Sequence, residues 1–237
     1  MTLKESVALV TGAGRGIGKS ISMALAREGA TVILVSRTTA DLEHVKSEIA
    51  GFGGSAVALQ ADITNDADIS RVFDELQARF SRLDILVNNA GIGVFAAVRD
   101  LSTVDFDRMW RLNIRAVHAC TQHALRLMEP QKRGAIINVA SLAGRNAFIG
   151  GAGYAATKWA LIGYSRSLML EVRDRNIRVI TICPGSVDTT FSSTPQEPSR
   201  SGKILHPQDV ADTVLAALRL PERAMVSEID IRPTNPK

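Results

Sequence analysis

Short apolar runs alternate along the chain with longer stretches in which apolar residues recur at helical spacing. The short runs, rich in Val and Ile, predict buried strands at 7–10, 31–36, 56–61, 85–87, 135–140, 178–183 and 225–231. Apolar residues every three or four positions predict helices at about 19–26, 38–50, 69–80, 103–128, 154–173 and 210–220. Strand and helix therefore alternate from one end of the sequence to the other.

This alternation predicts the fold class. Strands that alternate with helices form parallel sheets with right-handed crossovers, and the helices then cover both faces. The 237 residues suit one domain, and no repeat or linker divides them. We therefore expect an α/β protein made of a single doubly wound Rossmann domain over residues 1–237, with a seven-stranded parallel sheet. The irregular stretch 186–206, rich in Ser, Thr and Pro, is expected to be a substrate lid.

Composition narrows the function classes. Hydrophobic residues make up 46% of the chain and charged residues 22%, so a sizeable core is expected. The net charge is +4, but no basic run reaches five residues, so no nucleic-acid partner is expected. No apolar run is long enough to span a membrane, and the simplest compartment is the cytoplasm. The two cysteines and four histidines stand at no metal-ligand spacing, so no metal site is expected.

A glycine-rich turn follows the first predicted strand, with the spacing Thr11-Gly12-x-x-x-Gly16-x-Gly18. Glycines allow the backbone to turn tightly and to approach a pyrophosphate, and the helix that follows offers N–H groups and a positive dipole end. The alternative is a glycine turn without a ligand. The preceding strand and the following helix favour dinucleotide binding.

Tyr154 and Lys158 are four residues apart in a predicted helix, which puts their side chains on one face, one turn apart. An ammonium beside a phenol lowers the phenol pKa, and such a tyrosine can exchange a proton with an alcohol. The hydride of a carbonyl reduction must come from a cofactor. By itself the pair could equally be an ordinary helix surface, so the features around it decide.

Several other features come directly after predicted strands. They are Ser36-Arg37, Asp62-Ile63, Asn88-Asn89-Ala90-Gly91, Ser141 and Pro184-Gly185. Ligands of open parallel sheets bind outside the carboxyl ends of the strands. We therefore expect these residues to lie together with the glycine turn.

Taken together, these motifs resemble the short-chain dehydrogenase/reductase family over nearly the whole chain. Within it the chain looks most like 3-oxoacyl-carrier-protein reductases and related small ketoreductases. Residues 226–234 instead resemble the ending of sepiapterin-reductase-type members, which disfavours an acyl-carrier substrate. The resemblance implies a catalytic tetrad of Asn113, Ser141, Tyr154 and Lys158. It also implies a set of cofactor contacts: Gly12, Arg15, Gly16, Ile17, Gly18, Ser36, Arg37, Asp62, Ile63, Asn89, Ala90, Gly91, Tyr154, Lys158, Pro184, Gly185, Val187 and Thr189.

Roles for the tetrad follow from its chemistry and from the resemblance. Tyr154 is the expected proton donor, and Lys158 is expected to lower the Tyr154 pKa and to contact the nicotinamide ribose. Ser141 is expected to donate a hydrogen bond to the substrate carbonyl. Asn113 is expected to hold a water that links Lys158 to solvent, and a plain helix-surface amide is its alternative.

The expected cofactor is NADP(H). An NAD enzyme of this architecture has a carboxylate at the end of the second strand, where this chain has Arg37 with a hydroxyl on either side. A guanidinium there can bind a 2′-phosphate, and Arg15 is a second cation on the same face. Two solvated surface arginines are the alternative.

We therefore expect a reductase that converts a ketone or 3-oxoacyl carbonyl to an alcohol, acting as a homodimer or homotetramer. Its substrate pocket should come from residues 92–98, 142–148 and 186–206, and Phe148 and Phe191 either line it or pack in the core. A non-catalytic NADP(H)-binding regulatory protein is the second hypothesis. An epimerase or dehydratase is a third, for which the chain is short.

Overall fold

The computed structural model describes residues 3–191 and 204–234, and the predicted alternation of strands and helices is observed in it. Seven strands form, namely β1 (Val7–Thr11), β2 (Thr31–Ser36), β3 (Ser55–Gln60), β4 (Ile85–Asn88), β5 (Gly134–Val139), β6 (Ile177–Pro184) and β7 (Glu228–Ile231). The α-helices between them are α1 (Gly16–Arg27), α2 (Thr39–Gly51), α3 (Asp66–Phe80), α4 (Thr103–Trp110), α5 (Ala116–Gln131), α6 (Ala152–Val172) and α7 (Pro207–Arg219).

All seven strands belong to one parallel sheet with the order β3-β2-β1-β4-β5-β6-β7. The chain winds outward from β1 to β3, then returns to place β4 on the other side of β1. A crevice opens at this reversal, outside the carboxyl ends of β1 and β4, and ligands bind there in such sheets. The doubly wound prediction is confirmed.

Side chains of alternating strand positions enter two separate core layers. Ala8 and Val10 of β1 pack with α1, α2 and α7, whereas Val7 and Leu9 pack with α3, α5 and α6. A parallel strand covered on both faces must be apolar at every position, which explains the unbroken apolar runs in the sequence. None of the helices in the described ranges is both long and apolar enough to cross a membrane.

The predicted helix over 103–128 is not continuous. A five-residue π-helical turn, Arg111–Arg115, separates α4 from α5. Such turns insert one residue into the helical ladder and occur often at functional sites. The last strand also differs from its prediction: β7 begins at Glu228 rather than at 225, next to the hydrogen bond that Thr181 N donates to Ser227 O over 2.8 Å.

The two ends of the predicted lid are paired. Val187 forms a parallel bridge with Leu205, and Asp188 N donates to Leu205 O over 2.8 Å. Leu205 N in turn donates to Ser186 O over 3.0 Å. The remainder of the expected lid, 192–203, lies outside the described residues.

Candidate active site

The glycine turn adopts a conformation that requires its glycines. Gly12 and Gly16 have φ values of +65° and +54°, which side-chain-bearing residues adopt rarely. A β-carbon at Gly18 would stand 2.2 Å from the Gly12 carbonyl oxygen, so the turn could not close. Helix α1 then begins at Gly16 with no acidic residue in its first turn. Its N-terminus is thus available to an anion.

The segment after β4 braces this turn from the other side of the crevice. Asn89 Nδ2 donates to Thr11 O over 2.9 Å and to Gly12 O over 3.3 Å. The Thr11 hydroxyl accepts from the backbone N–H groups of Asn89 and Ala90, over 3.0 and 3.1 Å. Two strand ends predicted to share a site are therefore joined directly. Asn89 shapes the glycine turn.

The two basic residues predicted to meet a 2′-phosphate, Arg37 after β2 and Arg15 in the glycine turn, are exposed. Arg15 and Arg37 both reach solvent, and neither forms an ion pair with any residue in the described ranges. Ser36 lies beside the turn, because a β-carbon at Gly14 would stand 3.3 Å from its hydroxyl oxygen. The same β-carbon would stand 2.8 Å from Cβ of Asp41, the first acid of α2. Both guanidinium groups are free to meet a phosphate.

Asp62 and Ile63 follow β3 on the same edge. Asp62 is half-buried, and its Oδ1 accepts from the backbone N–H and the hydroxyl of Thr64, over 2.9 and 2.8 Å. Ile63 is buried in the layer beneath α3, which fixes the turn. Because Thr64 occupies Oδ1 of Asp62, the second carboxylate oxygen of Asp62 can accept a hydrogen bond from a ligand.

The segment after β6 covers the glycine turn. A β-carbon at Gly16 would stand 3.2 Å from Cγ2 of Thr189, so the Thr189 side chain lies close to the backbone of the glycine turn. Gly185 N donates to Ile231 O over 2.9 Å, which fixes the chain after Pro184. Val187 and Ile17 are half-buried against the core layer of α1. This arrangement forms the far wall of the crevice.

Three members of the predicted tetrad meet between β5 and α6. Tyr154 and Lys158 lie one turn apart on α6, 7% and 4% exposed, with Lys158 Nζ 5.8 Å from the centre of the Tyr154 ring. Lys158 Nζ donates to Val139 O over 2.9 Å. Ser141 caps a 3₁₀ turn, Leu142–Gly144, by accepting from Ala143 N over 3.1 Å. The Ser141 hydroxyl hydrogen can therefore point to a substrate.

Burial governs the titration of both groups on α6. It raises the pKa of Tyr154 to about 12, and a hydrogen bond with the Ser141 side chain only partly opposes the rise. Burial also lowers the pKa of Lys158 to about 8. Burial thus dominates the pKa of Tyr154 in the protein without ligands. The expected lowering of that pKa by Lys158 remains a prediction.

Asn113 lies in the π-helical turn and is 1% exposed, so the helix-surface alternative is wrong. Its Oδ1 accepts from Ile92 N, and its Nδ2 donates to Ile92 O, both over 2.9 Å. Nδ2 also donates to the Thr157 hydroxyl over 3.0 Å, and that hydroxyl donates to Tyr154 O over 2.8 Å. The side chain joins the segment after β4 to the helix that carries Tyr154. The water relay remains a prediction.

Sequence reasoning missed a buried polar chain beneath the site. Asn88 Nδ2 donates to Asn138 Oδ1 over 2.9 Å, and Asn138 Nδ2 donates to the Ser165 hydroxyl over 2.8 Å. Asn88 and Asn138 are register partners in β4 and β5. Asn138 is a polar residue within an apolar run, and Asn88 directly follows one, which was the available signal. The chain holds β4, β5 and α6 in a fixed relation.

Phe95 lies in the segment 92–98 predicted to line the substrate pocket, although the sequence did not single it out. Its ring meets the Tyr154 ring edge-on, with centroids 5.3 Å apart. Phe191 approaches the same phenol at 5.8 Å.

In the described parts of the chain, no group of three or more His, Cys, Asp or Glu side chains could hold a metal ion.

A doubly wound parallel sheet with a glycine turn at its reversal point and a Ser, Tyr and Lys group beside it defines a nucleotide-dependent oxidoreductase architecture. The family profile described as short chain dehydrogenase matches residues 6–199. The chain belongs to the short-chain dehydrogenase/reductase family.

Three relatives illustrate the likeness. The chain is 34% identical over 238 residues to a protein named sepiapterin reductase from Chlorobaculum tepidum, covering 98% of this chain and 97% of that one. A metagenomic short-chain oxidoreductase solved in complex with NADP is 34% identical, with a TM-score of 0.88 and 99% of each chain covered. A 7α-hydroxysteroid dehydrogenase complexed with NADH and 7-oxo glycochenodeoxycholic acid is 30% identical, with a TM-score of 0.90 over 98% of this chain and 95% of that one.

Proposed function

We propose that this protein is an NADPH-dependent carbonyl reductase that converts a ketone to an alcohol. The observation that carries the proposal is the group formed by Ser141, Tyr154 and Lys158 beside the glycine-lined crevice. A phenol, a hydroxyl donor and a buried ammonium are the groups that a carbonyl oxygen needs as it gains negative charge.

Each residue of the group has a separate task. The nicotinamide supplies a hydride when bound. Tyr154, whose pKa burial raises to about 12, keeps its proton at neutral pH and gives it to the carbonyl oxygen. Ser141 donates a hydrogen bond to the same oxygen, since its own lone pair is engaged by Ala143 N. Lys158, with a pKa lowered to about 8, is still mostly charged at pH 7 and stabilises the phenolate as it forms.

The preference for NADPH rests on the residues after β2. The fold alone does not determine which of the two nicotinamide cofactors binds, because one similar structure holds NADP and another holds NADH. Arg37 after β2 and Arg15 in the glycine turn are both exposed, and β2 ends without a carboxylate. A guanidinium favours a phosphate there. The remaining predicted cofactor contacts belong to the same proposal.

We also propose that the protein acts as a homo-oligomer, at least a dimer. Large apolar side chains stand exposed on α4 and α6, with Val104 67%, Trp159 55% and Leu170 60% exposed. Exposed apolar surface of this kind is typical of a face that pairs. Association of the two helices with those of a second copy would cover it.

The proposal is tested by replacing the phenol. Tyr154→Phe keeps the ring packing and removes the proton donor, so ketone reduction should fall by about 10²- to 10⁴-fold. NADPH binding, followed by fluorescence titration, should persist. The chain contains two tyrosines, and Tyr164→Phe on the same helix is the matched control, with near-normal turnover expected. Equal turnover in the two variants would refute the assignment of Tyr154, and NADPH binding without turnover in the unmodified protein would favour a regulatory role.

A further inference from the structure

Three phenylalanine rings surround the approach to the Tyr154 phenol although each is exposed. Phe95, Phe148 and Phe191 are 47%, 45% and 42% exposed. Phe95 and Phe191 meet the phenol ring at 5.3 and 5.8 Å, and Phe148 meets Phe95 at 5.8 Å. Exposed aromatic side chains gathered in one place mark a binding surface. A molecule that reaches the phenol from this side would contact these rings.

The three rings pack against the backbone of two glycines. A β-carbon at Gly151 would stand 2.3 to 2.5 Å from three carbons of the Phe148 ring, so this ring lies flat against the backbone. A β-carbon at Gly93 would stand 3.0 Å from both the Phe95 and the Phe191 rings. The two glycines therefore determine how closely the rings approach the backbone, and the pocket is built around them.

The loops that carry the rings are tied to each other and to the catalytic helix. Ala96 N donates to Gly150 O over 2.9 Å, which joins the segment after β4 to the segment before α6. Ile92, three residues before Phe95, is held on both sides by Asn113. The aromatic wall is thus formed in the protein without ligand, and its rings lose little freedom when a substrate binds.

The aromatic wall formed by Phe95, Phe148 and Phe191 provides few partners for a charged group. Within the described residues, no cation stands over the face of any of the three phenylalanine rings; the two cation–π contacts involve other rings. Arg145, which follows the 3₁₀ turn after Ser141, is engaged by Glu228 and by Asp230, the latter over 3.1 Å. A substrate carboxylate or phosphate in this pocket would lose water and gain no cationic partner from Arg145 or from the faces of these rings.

We propose that the substrate is a ketone or aldehyde whose carbonyl is attached to a flat, uncharged aromatic ring system. The inference rests on the proposed reductase function. The substrate ring stacks against Phe95 and Phe148, and its carbonyl oxygen meets Ser141 and Tyr154. The bound nicotinamide would supply the hydride that the carbonyl carbon gains, and Tyr154 gives a proton to the oxygen. The C=O double bond becomes a C–O single bond, and one C–H and one O–H bond form. NADP⁺ and the alcohol leave, and the phenolate recovers a proton from solvent.

The flatness of the pocket gives a test based on matched substrates. 1-Phenylethanone and cyclohexyl methyl ketone have the same number of carbon atoms, but only the first is flat. 4-Acetylbenzoate adds one negative charge to the flat ketone, and acetone lacks a ring. We expect kcat/KM to favour 1-phenylethanone over the cyclohexyl and charged ketones by about tenfold or more, because aromatic contacts and unpaired charges discriminate on this scale.

Variants identify the rings responsible. Phe148→Ala and Phe148→Leu should each lower kcat/KM for 1-phenylethanone by about tenfold. The cyclohexyl ketone should lose less in Phe148→Leu, which keeps bulk and removes flatness, and Phe148→Trp should retain the preference. Phe52→Ala removes a similarly exposed ring outside the site, 39% exposed, and should change nothing.

The outcomes separate the two proposals. Reduction of ketones without preference for the flat one, or equal losses on flat and cyclohexyl ketones in the Phe148→Leu variant, would overturn the aromatic substrate while leaving the reductase standing. Failure to reduce any carbonyl with NADPH or NADH would overturn the reductase and this proposal with it.

Discussion

Replacing Arg37 by Asp should reverse the choice between the two nicotinamide cofactors. Arg37 follows β2 and is exposed, and no carboxylate in the described residues pairs with it. Its charge is therefore available to a 2′-phosphate. An aspartate at this position would repel that phosphate and accept a hydrogen bond from the ribose 2′-hydroxyl of NADH.

The size of the effect follows from the contacts that Arg37 can make. A hydrogen bond between charged groups contributes about 1.5–3 kcal/mol, or about 10- to 150-fold in an equilibrium or rate ratio. Arg37 is exposed, so solvent and salt reduce its share toward the lower end of this range. Arg15 on the same edge adds a second cation. We therefore expect the unmodified protein to prefer NADPH by at least about tenfold in kcat/KM.

The assay compares kcat/KM for NADPH and NADH on one ketone, in unmodified protein and in Arg37→Asp and Arg37→Leu. Arg37→Leu should reduce the preference to the share that Arg15 supplies, and Arg37→Asp should invert it. Lys46→Asp on α2 makes the same change in net charge away from the cofactor edge and should leave the ratio near its original value. Equal use of both cofactors by the unmodified protein, or an unchanged ratio in Arg37→Asp, would refute the reasoning.

Three further predictions concern titration and assembly. Burial lowers the pKa of Lys158 from 10.5 to about 8, so between these pH values the unfolded state binds one more proton than the folded state, and stability rises with pH. In urea unfolding, the free energy of unfolding of the unmodified protein relative to Lys158→Met should therefore rise by about 3 kcal/mol from pH 7.5 to 10.5. A difference that stays constant with pH would contradict this. Hydrogen bonds from Arg166 and Arg145 lower the pKa of Glu228 to about 2. The resulting stabilisation is present above pH 4.5, the pKa of the unfolded state, and is lost as the pH falls through 2. The difference in unfolding free energy between unmodified protein and Glu228→Gln, measured in the same way, should shrink over that range, and a difference independent of pH would count against these ion pairs. Light scattering at micromolar concentration should give at least a dimer, and a monomer would refute the pairing of α4 and α6.

The fold could be predicted because its signals are local. Strands buried on both faces produce unbroken apolar runs, and the helices between them place apolar residues with a period near 3.6. Each strand and helix can therefore be predicted from its own residues. The reversal at β1 also places the predicted strand-end motifs at one edge without further information. Asn89 illustrates this: its position after β4 predicted its meeting with the glycine turn, and its bond to Thr11 follows from the sheet order.

Features that depend on burial or on contacts between distant loops could not be predicted. The spacing of Tyr154 and Lys158 shows that they are neighbours, but only their depth shows that desolvation raises one pKa and lowers the other. The π-helical turn at Asn113 occurs together with bonds to Ile92, 21 residues away, which no local pattern reports. Segment 92–98 was expected to line the pocket, but the contact of the Phe95 ring with Tyr154 depends on packing beside Gly93, which no period in the sequence reports.

The most direct measurement follows hydrogen from cofactor to product. The protein is incubated with NADPH carrying deuterium at both hydrogens of nicotinamide C4 and with 1-phenylethanone in ordinary water, and the alcohol is analysed by mass spectrometry and NMR. The account predicts one deuterium on the carbinol carbon of every product molecule, with the hydroxyl proton from solvent by way of Tyr154. Product whose carbinol hydrogen comes from water, or oxidation of NADPH without alcohol, would contradict the assignment of this chain as a carbonyl reductase.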